Sequence, residues 1–198
     1  MSDSQDSRAR LLSAAIDVIR IKGYAATRVD DIAAAAGVTK GSFFHHFATK
    51  EACARAAASY WRGQSEASFA ASGHRDAASP AARVLAYIDF RISQLTGPVP
   101  SYTCYVGTVL HEVHDTHPEL AADSAASVLA QAAALEDDLA AALAPEGDAA
   151  HDLAVHIEAT IQGALLIATA EGGNRGARAS LVHLRRYLEI QLKEGKHD

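Results

Sequence analysis

Between Thr39 and Lys50 the chain reads TKGSFFHHFATK, and its side chains divide into two kinds of chemistry. Thr39, Lys40, Ser42, His45 and His46 carry small polar or basic groups that can meet base edges and phosphates. Phe43 and Phe47, four apart, share one face of a helix and can only pack. A helix divided in this way has an apolar side to fix its angle and a polar side, kept small near its start by Gly41, that fits the major groove of duplex DNA. Lys40 suits a guanine acceptor or a phosphate, Thr39 and Ser42 suit base edges, and the helix N-terminus itself attracts phosphate.

Two other sets of residues could do chemistry. His111, Glu112, His114, Asp115 and His117 are the densest group of ligating side chains. They fail the H-E-x-x-H pattern, because the fourth position after His111 is Asp115, but His111 and His114 with His117 or another ligand could hold zinc or nickel. A metal-binding protein or enzyme using His111, His114 and His117 is therefore an alternative reading of another class. The two cysteines, Cys53 and Cys104, make neither a disulfide framework nor a spacing-defined metal site. No G-x-S-x-G, P-loop or G-x-G-x-x-G occurs, so a non-enzymatic chain without a cofactor is expected.

The elements that must position Thr39 to Lys50 are legible around them. Thr27, with Asp30 three residues on, forms a capping box for a short helix whose apolar face is Val29, Ile32, Ala33 and Ala36. Gly37 stops that helix, Val38 fills the corner, and Thr39 caps a second helix over about Lys40 to Phe47. A helix over about Ser7 to Lys22, buried through Leu12, Ala15, Ile16 and Ile19 and ended by Gly23, completes a three-helix head. Further helices are predicted over Glu51 to Ser72, from Pro80 to about Leu95, Thr103 to Asp115, Pro118 to about Ala144 (stopped by Pro145 and Gly147), Asp148 to Glu171 and Arg175 to Glu194. Strand alternation is missing, so the fold class is all-α, about nine helices.

On GVTKGSFFHHFATKEA the chain resembles the TetR family of one-component transcriptional regulators, over residues 8 to 53, about a quarter of its length. The resemblance implies a helix-turn-helix DNA-binding domain at 1–50 and a helical effector-binding and dimerisation domain at 51–198, the fourth helix acting as the lever between them. It implies a homodimer, probed by a small-molecule effector, on double-stranded operator DNA. Carried over by position, Thr27, Arg28, Thr39, Lys40, Gly41, Ser42, Phe44, His45, His46 and Lys50 face DNA. The family commonly has tyrosine where this chain has Phe44, so a phosphate contact is either lost or replaced by packing on the backbone.

An apolar stripe of Ile157, Ile161 and Leu165 on one long helix and of Leu181, Leu184 and Leu188 on the next is expected to form the dimer interface, since one short recognition helix contacts too few bases and two half-sites must be paired. The alternative is that these stripes close the subunit core. Trp61, Tyr87, Phe90, Tyr102, Cys104, Tyr105, Leu110, Gln162 and Leu166 are candidates to line a sensing pocket, an apolar set with a few polar groups that suits a hydrophobic or aromatic effector. The stretch beginning at Cys104 resembles a subgroup in which a cysteine starts this helix, and the resemblance implies a sensor of electrophiles or oxidants as in some of its members.

Charge is distributed as these readings require. The chain carries a net charge of -6, yet residues 1–50 hold seven Lys and Arg against five Asp and Glu, a net of +2, while the remainder holds eleven against nineteen, a net of -8. A basic head on an acidic body meets DNA by one end. The most apolar run, Leu153 to Ala170, is interrupted by His156, Glu158 and Gln162, and reads as a buried helix, not a membrane span. MSDSQDSRAR has no signal-peptide character, and a cytoplasmic location is expected.

Overall fold

The computed structural model describes residues 2–143 and 148–194. Its elements, in order, are helices α1 (Ser2–Lys22), α2 (Val29–Ala35), α3 (Lys40–His46), α4 (Lys50–Ala71), α5 (Pro80–Ser93), α6 (Tyr105–Val113), α7 (Pro118–Ala133), α8 (Glu136–Leu143), α9 (Ala149–Glu171) and α10 (Arg175–Glu194), with short 3-10 turns at His74–Asp76 and Val99–Ser101. Among the described residues there is no strand. They form two compact units: one takes in the chain to residue 65 together with residues 104–127, the other residues 66–103 and those from 128 onward. The division thus differs from the single cut expected at residue 50.

In the first unit α1 packs through Leu11, Leu12, Ala15, Ile16 and Ile19, all buried, and stops at Gly23. There φ is +83°, which strains any residue but glycine, and a Cβ would stand 2.4 Å from Glu112 Oε1 and displace that carboxylate. The start of α2 corrects the expected cap by one residue. The Arg28 N–H donates to Asp31 at 2.9 Å, closing the box from position 28, while the Thr27 hydroxyl turns inward to donate to the Gly23 carbonyl at 2.6 Å. α2 ends at Gly37, φ +65°, with the Val38 N–H on the Ala33 carbonyl. Thr39 caps α3 as its sequence position suggests, accepting from the Ser42 N–H at 3.1 Å.

In the second unit Ser79 caps α5 and Pro80 opens it, and the period-3.6 residues Val84, Tyr87, Ile88 and Ile92 are buried. Arg83 on α5 holds Asp138 of α8 at 2.8 Å, and Arg185 on α10 holds Asp89 of α5 at 2.6 Å. Gly172 takes the left-handed conformation that ends α9, and the Gly173 N–H closes on the Ala168 carbonyl.

Two expectations are overturned in this region. The helix predicted from Pro118 to Ala144 is two helices, broken at Ala134 and Leu135. Leu135 is buried at the bend, and the acidic run Glu136, Asp137 and Asp138 opens α8 as a new helix N-terminus, where negative charge is favoured. Its expected stops, Pro145 and Gly147, lie outside the described residues. The residues assigned to the dimer interface, Ile157, Ile161, Leu165, Leu181, Leu184 and Leu188, are each no more than 6% exposed in the single chain. Side chains already withdrawn from water within one subunit offer no surface to a second copy, so these stripes close the core between α9 and α10. The exposed apolar residues of the pair are instead Val155, Leu166, Ile167, Tyr187 and Ile190. By length and a mean hydropathy of 1.5, α9 could cross a membrane. Its apolar inner face is, however, spent on this core.

Candidate nucleic-acid interface

Two interlocked supports hold α3. Phe43 is fully buried and Phe47 nearly so, their rings 5.7 Å apart, which pins one face of the helix against α1 and α2. On the other face Thr39, Lys40, Gly41, Phe44 and His45 are exposed and Ser42 is half-buried. Phe44, 49% exposed, stands edge-on to Phe43 at 5.4 Å, so its ring extends the rim of this surface without a hydroxyl to offer. Arg28 lies exposed at the start of α2.

The charges of the interface are held loosely. Lys40 Nζ lies 3.0 Å from Asp30 Oδ1, and both side chains are more than half exposed. Such a pair contributes about 0–1 kcal/mol, so Lys40 can exchange Asp30 for a phosphate at little cost. Lys22 donates to Asp31 at 2.8 Å, and that hydrogen bond, with the one from the Arg28 N–H, holds the Asp31 carboxyl below its ordinary range. His46 bonds Ser7 at 2.8 Å; burial and the neighbouring His45 and Arg8 lower its pKa.

Two residues expected to face DNA do other work. Thr27 is 2% exposed, its hydroxyl spent on Gly23, so it belongs to the core of the head. Lys50 donates to the carbonyls of Tyr24 at 2.8 Å and Thr27 at 2.9 Å, and its ammonium lies 4.2 Å from the centre of the Tyr24 ring. Lys50 is therefore a tie between α4 and the α1–α2 corner.

That corner is gripped from a second side by a residue that sequence reasoning placed elsewhere. Glu112 of α6 accepts from the Tyr24 N–H at 3.0 Å through Oε1 and from the Ala25 N–H at 2.8 Å through Oε2. His117 packs edge-on against Tyr24 at 5.1 Å and bonds Thr116, and His114 pairs with its neighbour Asp115. Among the described residues no group of three His, Cys, Asp or Glu side chains converges to hold a metal ion. His114 and His117 thus go to separate partners, and Glu112 between His111 and His114 is a clasp. Arg55 of α4, bonded to Asp123 at 2.6 Å and to Glu119, ties α7 to the same unit.

The residues proposed for a sensing pocket fall in both units. Trp61, Cys104, Tyr105 and Leu110 belong to the first. Tyr105 is fully buried and donates to the Ala54 carbonyl at 3.0 Å, and Trp61 lies 6.4 Å from it with the Arg20 guanidinium 4.9 Å from the indole. Tyr87, Phe90, Tyr102, Gln162 and Leu166 belong to the second. Tyr87 stacks flat on Phe69 at 4.9 Å and Phe90 packs on the same ring at 5.0 Å, while Leu166 is 64% exposed and is corrected to the outer face of α9. Cys104 caps α6, its sulfur accepting the Gly107 N–H at 3.4 Å, whereas burial pushes Cys53 up to about 12 and leaves it an inert core thiol.

Comparison with known proteins follows the same division. A family model described as bacterial regulatory proteins, tetR family, matches residues 11–57, and one described as transcriptional regulator LmrA/YxaF-like, C-terminal domain, matches residues 80–175. The HTH-type transcriptional regulator CymR of Pseudomonas putida is 45% identical over 47 residues, 24% of this chain and 23% of its own. The uncharacterized HTH-type transcriptional regulator YerO of Bacillus subtilis is 37% identical over 60 residues, 30% of this chain and 21% of its own. The chain thus matches less than a quarter of the length of either curated relative. A solved TetR transcriptional regulator from Chloroflexus aurantiacus superimposes with a TM-score of 0.84 at 28% identity, covering 96% of this chain and 98% of that one.

Proposed function

The chain belongs to the TetR family of bacterial regulatory proteins, and from that membership we propose that it is a cytoplasmic homodimeric repressor, released from operator DNA by a small hydrophobic or aromatic effector. The observation that carries the DNA-binding reading is the surface of α3. An exposed run of Thr39, Lys40, Gly41 and His45 beside Ser42 stands on a helix whose opposite face is locked by Phe43 and Phe47. Small polar groups at the N-terminus of such a helix reach base edges, and Lys40 and Arg28 reach phosphates. Two heads are needed for a full site. The exposed apolar side chains of Val155, Leu166, Ile167, Tyr187 and Ile190 on α9 and α10 suit a second copy of the same surface, which a two-fold axis makes self-complementary. Release follows if the effector binds the DNA-incompetent arrangement more tightly than the competent one.

Selection of bound duplexes from a random pool tests this reading. Enrichment of an inverted repeat whose half-sites lie about one helical turn, or a multiple of it, apart is the expected result. A pool that remains random, or an enriched site without dyad symmetry, would contradict it.

A second reading on the same scaffold is a thiol sensor. Cys104 supports it by capping α6 with its sulfur, in the field of the Arg20 guanidinium. In that case Cys104→Ser abolishes release by an electrophile such as N-ethylmaleimide; unchanged release in the variant discards the idea.

A further inference from the structure

Glu158 is an acidic side chain in the core of the second unit, and the fold leaves one of its oxygens unused. It is 4% exposed and lies on α9 beside Ile157, between Ala154 and Ile161, all fully buried. Only one of its oxygens is engaged: Gln162 Nε2 donates to Oε1 at 2.7 Å. Oε2 is buried and, among the described residues, has no hydrogen-bond partner. Burial raises the Glu158 pKa, and the charge of Arg91 on α5 pulls it back down. A buried acceptor left unsatisfied is costly and rare, and a core position needing only volume would be filled better by leucine or methionine.

The surroundings of Arg91 say what could satisfy it. The Arg91 guanidinium donates to Gln131 at 3.4 Å and lies 6.0 Å from the centre of the Tyr87 ring. Tyr87 in turn stacks on Phe69, interplanar angle 9°, and Phe69 packs on Phe90. Within one unit, then, an acid with an unspent acceptor lies in the field of Arg91, which itself stands beside the stacked rings of Tyr87 and Phe69. Gln162 and Arg91 are half-buried and end in flexible side chains, so they can move aside for a ligand without disturbing the helices.

We propose that Glu158 is the polar anchor of the effector site, and that the effector is a small aromatic amine whose ammonium donates to Glu158 Oε2 while its ring packs against Phe69, Tyr87 and Phe90. The ligand class follows from charge. An anion brings like charge and no proton to the open oxygen, a neutral donor gives it one ordinary hydrogen bond, and an ammonium gives it the stronger charge-assisted one. The proposal rests on the effector-released reading above.

The test is calorimetric titration of the full-length protein, without DNA, using benzylamine, 2-phenylethylamine and tryptamine. Phenylacetate and 2-phenylethanol serve as the charge-reversed and neutral counterparts. The expected result is saturable binding of at least one amine, weakened about tenfold to a hundredfold in Glu158→Gln, with phenylacetate not binding. Glu158→Leu supplies the same comparison if far-UV circular dichroism shows the glutamine variant to be unfolded. No binding by any of the three amines, equal affinity in the variant, or equal affinity for 2-phenylethanol would overturn the proposal. Since no DNA is present, failure to bind an operator leaves this result untouched. Amine binding that leaves an operator complex intact would instead count against effector release.

Discussion

Replacing Glu112 by alanine removes the clasp that α6 places on the α1–α2 corner, and its cost can be worked from the two bonds it makes. The Ala25 amide is exposed and exchanges its bond at 2.8 Å for water at little loss, but Tyr24 is 3% exposed, so its amide is left buried without an acceptor. An unsatisfied buried N–H costs about 1–3 kcal/mol. For a chain of this size about 2 kcal/mol lowers the Tm by roughly 4–8 °C. The same corner carries Thr27 and leads into α2, so its loosening reaches the support of α3, and operator affinity falls with it. Differential scanning fluorimetry measures the Tm, and amide hydrogen exchange followed by NMR reports Tyr24 directly. Gly23→Ala strikes the same contact from the other side, since its Cβ would lie 2.4 Å from Glu112 Oε1 at a φ of +83°. Unchanged exchange at Tyr24 together with an unchanged Tm in Glu112→Ala would refute the assignment of this residue as a clasp.

Lys40→Ala should leave the unfolding stability within about 0.5 kcal/mol of wild type, because its pair with Asp30 is exposed, while weakening operator binding and lowering the salt slope by about one, as read by fluorescence anisotropy. On the outer face of α9 and α10, Leu166→Glu combined with Ile190→Glu should yield a folded monomer by analytical ultracentrifugation, whereas Leu188→Ala, fully buried, should cost about 2–5 kcal/mol of subunit stability by denaturant titration. Glu158 gives a pH signature: its folded pKa is raised by burial, so the native state holds its proton more tightly than the unfolded chain. The stability this contributes is complete below the unfolded value of about 4.3 and is lost as pH rises through the folded value. Glu158→Gln should therefore remove part of the fall in urea-unfolding stability above about pH 4.3, and parallel pH profiles for the two proteins would contradict this.

Much of the head was legible because its signals are local. Gly37 at the turn, Thr39 as a cap and the Phe43–Phe47 pair each act within a few residues, and the structure shows the turn, the cap and the packing they predict. Thr27 was misjudged by one position because Arg28, with no side-chain acceptor, caps α2 through its own N–H and Asp31. Lys50, Glu112 and Glu158 were not legible in their roles, for each depends on a partner brought close only by the tertiary fold: Tyr24 is 26 residues from Lys50 and 88 from Glu112. Glu158 did leave a trace, a charge on the apolar stripe between Ile157 and Ile161, which marks a position where burial of a polar group needs a reason. The α9 and α10 stripes show what amphipathicity alone cannot separate: a helix apolar on more than one side gives its broadest face to the core, and the apolar residues left exposed are the scattered Val155, Leu166, Ile167, Tyr187 and Ile190.

The most direct test is fluorescence anisotropy of the purified protein on the DNA flanking its own coding region, over a salt series, with an unrelated duplex of equal length as control. Tight, selective binding whose logarithm falls steeply and linearly with the logarithm of salt concentration, in a 2:1 ratio of chains to duplex, is the predicted result. Binding no stronger than to the unrelated duplex at every salt concentration would contradict it.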